Sequence, residues 1–209
     1  MKVTKYFSLG LLIAVFAGSA LNVSAQEQPA QAAEVKTTPV KWMTWEEAVE
    51  KNKTEKKKIF VDVFTDWCGW CKVMDKNTFT EAQVAKILNE DFYPVKFNAE
   101  QAADVIFNNV TFKFVAMEGG RGVHQLAAAL LNNQLSYPNF VFLDEEFKII
   151  PLIPGYQSLP GYRKPEEFHF FLTYVTDEIY KKGMKLEDFQ KNGYVSPYGA
   201  TAPKQDGGK

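Results

Sequence analysis

Between residues 45 and 181 the apolar positions of this chain switch repeatedly between a helical and a strand period. Trp45 to Asn52 reads as an amphipathic helix, with Thr44 placed to cap it and Glu46 and Glu47 in its first turn, where acids favour the helix dipole. Lys58 to Thr65 follows as a strand. Ile59, Val61 and Val63 face one way and Phe60, Asp62 and Phe64 the other, a run suited to burial on both faces of a sheet. Cys71 to Asn77 and Glu81 to Asn89 read as helices, the second with Thr80 as its cap and Val84, Ile87 and Leu88 as its apolar stripe. Tyr93 to Asn98 is the next strand.

From Ala102 to Gly122 the periodicity weakens. Val110 to Ala116 reads as a strand and Gly119-Gly120-Arg121-Gly122 as a flexible turn, before Val123 to Leu131 becomes helical again. Pro138 precedes a strand at Asn139 to Leu143, Asp144-Glu145-Glu146 turns the chain, and Phe147 to Ile153 returns as a hairpin partner. Lys164 to Lys181 is the last helix, with Pro165 in its first turn and Gly183 beyond its end. The order βαβαββα, preceded by an extra helix, predicts a three-layer α/β sandwich with a central mixed sheet.

The ends behave differently. Lys2 and Lys5 precede the apolar run Leu9 to Ala17, and Val23-Ser24-Ala25 offers small residues for cleavage, so residues 1–25 read as a secretory signal peptide. Residues 26–39 are rich in Ala, Gln, Thr and Pro and read as a flexible linker, and residues 186–209 as a C-terminal tail without periodicity. One domain is left, residues 40–185, with an insertion around 102–122. At 46% hydrophobic, with 17 Phe, the chain has ample material for a core. With 24 basic and 25 acidic residues it carries no basic excess to suggest nucleic acid as a partner.

Two cysteines, Cys68 and Cys71, make up the whole thiol content. A bridge closing so short a loop removes little entropy from the unfolded chain, so rigidity is not its purpose. A strand ending at Thr65 and a helix beginning near Cys71 put Cys68 at a helix N-terminus, where unpaired N–H groups favour an anion. Its thiol pKa is expected to fall below the ordinary value of about 8.5, and Cys68 is expected to be the more exposed thiol. Cys68 is thus the candidate nucleophile, and Cys71, one turn on, resolves the mixed disulfide. A zinc site needs four N or S ligands, and His124 and His169 lie far away in sequence, so no metal is expected.

Asp66-Trp67-Cys68-Gly69-Trp70-Cys71-Lys72 after the strand Val61 to Thr65 resembles the thioredoxin superfamily over roughly residues 57–181. The resemblance places Asp62 as a buried carboxylate, and its flanking Phe60 and Phe64 independently argue for a raised pKa by desolvation. So tuned, Asp62 could relay a proton to or from Cys71. Val95 to Glu100 is similar to the superfamily's next strand and implies that Lys96 lies near Asp62. Ser136-Tyr137-Pro138-Asn139 is similar to its loop with a cis-proline facing the cysteines, which implies that the Tyr137 backbone pairs with substrate beside Cys68. Gly69, Trp67 and Trp70 flank the thiols, and exposed rings there supply apolar contacts to an extended protein. Cys71-Lys72-Val73-Met74 and Thr78 to Asn89 resemble more narrowly the subgroup known as DUF255 or thioredoxin-7. Trp70, where thioredoxins carry proline, and the long stretch from Cys71 to Pro138 depart from plain thioredoxin.

These features imply an exported, periplasmic or else secreted, thiol–disulfide oxidoreductase. It is expected to act as a monomeric disulfide reductase on exported protein substrates, with its cysteine pair as the sole redox group and a membrane thiol–disulfide protein as electron donor. A disulfide isomerase, or a thioredoxin-fold binding or chaperone-like module without turnover, are the competing readings.

Overall fold

The computed structural model describes residues 38–199. The proposed signal peptide, residues 1–25, lies outside them, as do the linker apart from its last two residues and the tail beyond residue 199. Among the described residues no helix is long and apolar enough to cross a membrane.

Helix α1 (Trp45–Thr54) opens on a reciprocal capping box: the Thr44 hydroxyl accepts from the Glu47 N–H at 3.2 Å, and the Glu47 carboxylate accepts from the Thr44 N–H at 2.8 Å. Strand β1 (Lys58–Phe64) follows, then α2 (Gly69–Asn77), α3 (Ala82–Asp91) and β2 (Phe92–Asn98). The cap of α3 is Glu81, whose carboxylate accepts from the Gln83 N–H at 2.8 Å. Thr80, expected in that role, instead donates its hydroxyl back to the Lys76 carbonyl at 2.6 Å.

The insertion is two hairpins. In the first, β3 (Val105–Phe107) pairs with β4 (Val110–Phe112) around Asn108 and Asn109, both at positive φ, 50° and 61°. A two-residue loop with both members left-handed matches the twist of its strands, and asparagine tolerates that conformation. In the second, β5 (Phe114–Ala116) pairs with β6 (Gly122–His124). The single strand expected over Val110 to Ala116 is therefore two, broken at Lys113, where the chain leaves one partner for the next. The helix expected from Val123 starts as β6 and becomes helical only at α4 (Gln125–Leu130). His124 makes the switch: its backbone N–H reaches the Ala99 carbonyl at 2.7 Å while its ring Nδ1 caps α4 by accepting from the Leu126 N–H at 3.2 Å.

Strands β7 (Asn139–Leu143) and β8 (Leu159–Pro160) complete a four-stranded sheet in the order β2-β1-β7-β8. β2 runs parallel to β1, whereas β7 and β8 run antiparallel to their neighbours. The return expected from Phe147 to Ile153 is only partly a hairpin. Leu143 and Ile149 form a lone bridge and the Ile150 N–H reaches the Phe142 carbonyl at 2.8 Å, before Pro151, with no N–H to give, stops the pairing.

Helix α5 (Pro165–Thr176) is shorter than the helix expected to Lys181. Glu178 sits at a φ of 54°, which ends the helical path, and its carboxylate takes hydrogen bonds from Lys58 at 2.8 Å and Lys181 at 2.6 Å. After a 3-10 turn, α6 (Leu186–Asn192) lies where the sequence placed the tail. This corrects the boundary at residue 185: Leu186 and Phe189 are buried, and Phe189 stacks on Phe170 with ring centres 5.5 Å apart. A helix of two turns carries too few apolar positions to announce itself in the sequence.

The two faces of β1 organise the layers. Phe60 packs with Met74 of α2, Leu88 of α3 and Phe168 and Leu172 of α5. Ile59, Val61 and Val63 pack with Trp45 and Ala48 of α1 and Leu126 and Ala127 of α4. Helices thus cover both sides of a mixed sheet, the expected three-layer sandwich. Phe60 is fully buried, with five aromatic neighbours (Trp42, Phe79, Phe140, Phe142 and Phe168) at ring-centre distances of 5.4 to 6.1 Å. Phe60→Ala is predicted to lower stability by about 3 to 5 kcal/mol, the cost of a large cavity at a site ringed by rigid side chains. Urea unfolding of the two proteins measures it, and a loss below about 1 kcal/mol would contradict this account of the core.

Candidate active site

Strand β1 delivers the chain to its carboxyl end at Phe64, and a short turn then starts α2. The Cys68 N–H donates to the Thr65 carbonyl at 3.1 Å, which closes the turn. Cys68 is the N-cap residue of α2, with extended backbone, and its Sγ accepts from the Cys71 N–H at 3.0 Å. Sulfur here occupies the position that a serine or aspartate oxygen holds in an ordinary cap. Cys68 and Cys71 are joined in a disulfide, with Cα atoms 5.3 Å apart.

Both sulfurs are buried. Cys68 retains 4% exposure against 2% for Cys71, so Cys68 is the more exposed of the two, by a narrow margin. The flanking residues take the solvent instead: Trp67 is 51% and Trp70 61% exposed. A Cβ added at Gly69 would meet nothing within 4 Å, so the first turn of α2 is open at that position.

Asp62 is buried, at 1% exposure, on the face of β1 that also carries Phe60. Lys96, its register partner on β2, donates to Oδ2 at 2.6 Å, while Oδ1 has no hydrogen-bond partner among the described residues. Burial raises the carboxyl pKa to about 6, and the Lys96 ammonium opposes but does not cancel that effect. Cys71 and Asp75 are four residues apart and share a face of α2, and Asp75 reaches the same Lys96 ammonium that holds Asp62.

The peptide bond between Tyr137 and Pro138 is cis, at the entrance to β7. The Pro138 carbonyl accepts from the Gly161 N–H at 2.8 Å, whereas the Tyr137 backbone has no such partner among the described residues. Tyr137 also meets Trp67 edge to face, ring centres 5.9 Å apart. Trp67 is held from two further sides. Its indole N–H lies 3.0 Å from both carboxylate oxygens of Glu100, and the Arg121 guanidinium lies 4.5 Å above its ring. Trp70 leans on Tyr162 at 5.4 Å.

The structure therefore brings Cys68, Cys71, Trp67, Asp62 and Lys96 to one end of β1 and connects Tyr137 to them through Trp67. Sequence reasoning did not single out Asp75, Glu100 or Arg121 as members. Asp75 had a legible signal, four residues after Cys71 on a helix. Arg121 had none, since it arrives on the tip of an inserted hairpin. His124 and His169 serve the fold: His124 caps α4, and His169 bonds the Tyr194 hydroxyl at 2.9 Å.

A mixed sheet with a parallel β1–β2 pair, a CxxC at the end of β1 and a cis-proline entering the neighbouring antiparallel strand define a thioredoxin fold with a redox-active cysteine pair. The model of the Thioredox_DsbH family, described as "Protein of unknown function, DUF255", matches residues 22–152, and this chain belongs to that family. Uncharacterized protein B0495.5 of Caenorhabditis elegans is 34% identical over 102 residues, which is 48% of this chain and 14% of that protein. Human Spermatogenesis-associated protein 20 is 36% identical over 83 residues, 39% of this chain and 11% of that protein. The match thus spans only a small part of these curated relatives. Among solved structures, one called DsbH Oxidoreductase covers 62% of this chain and 85% of its own at 20% identity, with a TM-score of 0.40. A thioredoxin-fold protein from Helicobacter pylori covers 76% and 89% at 18% identity, with a TM-score of 0.49.

The raised carboxyl pKa has a consequence for stability. Asp62 binds its proton more tightly folded than unfolded, where the value is about 3.9, so the folded state loses stability as pH rises from about 4 through about 6. A gap of about two pH units corresponds to about 3 kcal/mol. Asp62→Asn, which keeps the shape and never ionises, is predicted to stabilise the oxidised protein by up to about that amount at pH 8 and by little at pH 4. Denaturant midpoints at the two pH values test it; an equal change at both would contradict the burial argument.

Proposed function

We propose that this chain is an exported dithiol–disulfide oxidoreductase that reduces disulfides in exported protein substrates. The single observation that carries the reading is the Cys68 sulfur, capping α2 through the Cys71 N–H and bonded to Cys71 in a disulfide. Such a site stabilises negative charge on sulfur when the bond is open, because the helix N–H groups point at it. In the reduced protein the Cys68 thiolate attacks one sulfur of a substrate disulfide, and the other sulfur leaves as a thiolate. Cys71 then gives its proton to Asp62 and attacks Cys68. The Cys68–Cys71 bond forms, the bond to substrate breaks, and the second substrate sulfur leaves reduced.

The substrate has to present an extended segment, because the thiols themselves are nearly enclosed. Trp67 and Trp70 offer apolar surface beside them, the open space at Gly69 admits a close backbone, and the unpaired backbone of Tyr137 can take main-chain hydrogen bonds. The pair is its own redox group and needs no cofactor, and a membrane thiol–disulfide protein restores the dithiol. Export follows from the character of residues 1–25, and the protein works as a monomer in the periplasm.

Wild type is predicted to accelerate dithiothreitol-driven insulin reduction, and Cys68→Ser to lower that rate at least tenfold, to about the uncatalysed level. Equal rates would leave only a binding module. Cys71→Ser is predicted to hold exported proteins as mixed disulfides on Cys68, identified by mass spectrometry. The reduction potential tests direction: a value near about -270 mV fits a reductase, and one near about -120 mV would overturn that part of the reading in favour of an oxidant.

A further inference from the structure

The Lys96 ammonium does not belong to Asp62 alone. It is bonded also by the carboxylate of Asp75, and the rings of Trp42, Phe64 and Phe79 surround it at 4.9 to 5.3 Å. Three aromatic faces and two carboxylates leave this side chain little freedom to choose another position. The two acids differ sharply: the Asp62 side chain is 1% exposed, that of Asp75 44%. One cation is thus shared between an acid in the core and an acid in contact with water.

Lys96 on β2 and Asp75 on α2 are the charges that act on Asp62. The other elements packed against Asp62 supply apolar groups: Phe140 opposite it on β7, and Phe60 and Phe64 beside it on β1. Lys72, one turn before Asp75, is exposed. Besides burial, the largest effect on Asp62, its charge balance is set by one attraction and one repulsion, and the repulsion comes from a residue whose side chain is partly exposed.

We propose that Asp75 is a positioning residue for thiol–disulfide exchange: it competes with Asp62 for Lys96 and so sets how readily Asp62 takes the proton of Cys71. This rests on the reading of Asp62 as the proton acceptor during resolution. Were Lys96 committed to Asp62 alone, the buried carboxylate would be held ionised and would be a poorer base. With Asp75 drawing on the same ammonium and adding a like charge, Asp62 stays a stronger base. In resolution the Cys71 S–H proton passes to Asp62, the Cys71–Cys68 bond forms, and the electron pair of the broken bond leaves on the sulfur of the disulfide being reduced.

Ellman's reagent separates the two steps in the full-length reduced protein. The first thionitrobenzoate is released when Cys68 attacks and the second when Cys71 resolves, and both absorb at the same wavelength in distinct phases. Asp75→Asn is expected to move the acid limb of the second phase to lower pH by about half a unit or more, because Asp62 loses a like charge and gains the whole of Lys96. The first phase is expected to keep its profile, and Asp75→Glu to restore the wild-type limb. A second phase whose limb stays in place in Asp75→Asn, while Asp62→Asn slows it at least tenfold, overturns the role of Asp75 alone. A second phase unaltered in Asp62→Asn overturns the reading of Asp62 as proton acceptor and the proposal with it. A carbon-13 carboxyl titration of Asp62 in the same Asp75→Asn protein is expected to show the same downward displacement, and an unmoved midpoint likewise rejects the proposal.

Discussion

The hydrogen bond from the Cys71 N–H to the Cys68 sulfur ties this site to the fold. It exists because α2 begins at Gly69, and α2 begins there because β1, buried on both faces, ends at Phe64 and leaves only a short turn in which to change direction. A helix start has N–H groups without intrahelical partners, and here one of them finds sulfur. The reactivity assigned to Cys68 is thus a property of where a strand stops. The packing of Phe60, Ile59 and Val61 matters to the chemistry because it holds that end point still.

A second constraint is the burial of Asp62. A carboxyl group enclosed among phenylalanines is destabilised when charged, and the structure retains it with a single cation shared with a second acid. Such a group weakens the folded state at neutral pH, which is the reverse of what selection for stability alone would keep. The proton transfer proposed for Asp62 would account for it. Asp75, one turn beyond Cys71 on α2, shares the Lys96 cation with Asp62.

The insertion reaches the site through one of its two hairpins. The second hairpin carries Arg121 onto the Trp67 ring, while Glu100, just past β2, holds the indole N–H. Trp67 is consequently fixed although half exposed, and a fixed aromatic surface costs little entropy when an extended chain lies against it. Both sulfurs are buried while both neighbouring tryptophans are exposed.

Periods of two and of about 3.6 residues, together with capping and turn chemistry, made β1, β2, β7, α1, α2 and α3 legible in the residues themselves, and the spacing of Cys68 and Cys71 at a strand-to-helix change named the chemistry. Asp62 could be read as buried because Phe60 and Phe64 share its face. Short elements escaped: β3 to β6 have three residues each, α6 only seven, and so few positions cannot establish a period. The near-complete enclosure of Cys68, the sharing of Lys96 with Asp75 and the arrival of Arg121 on Trp67 were decided by tertiary structure alone. Each depends on distance between segments far apart in the chain, and local preference carries no information about such distances.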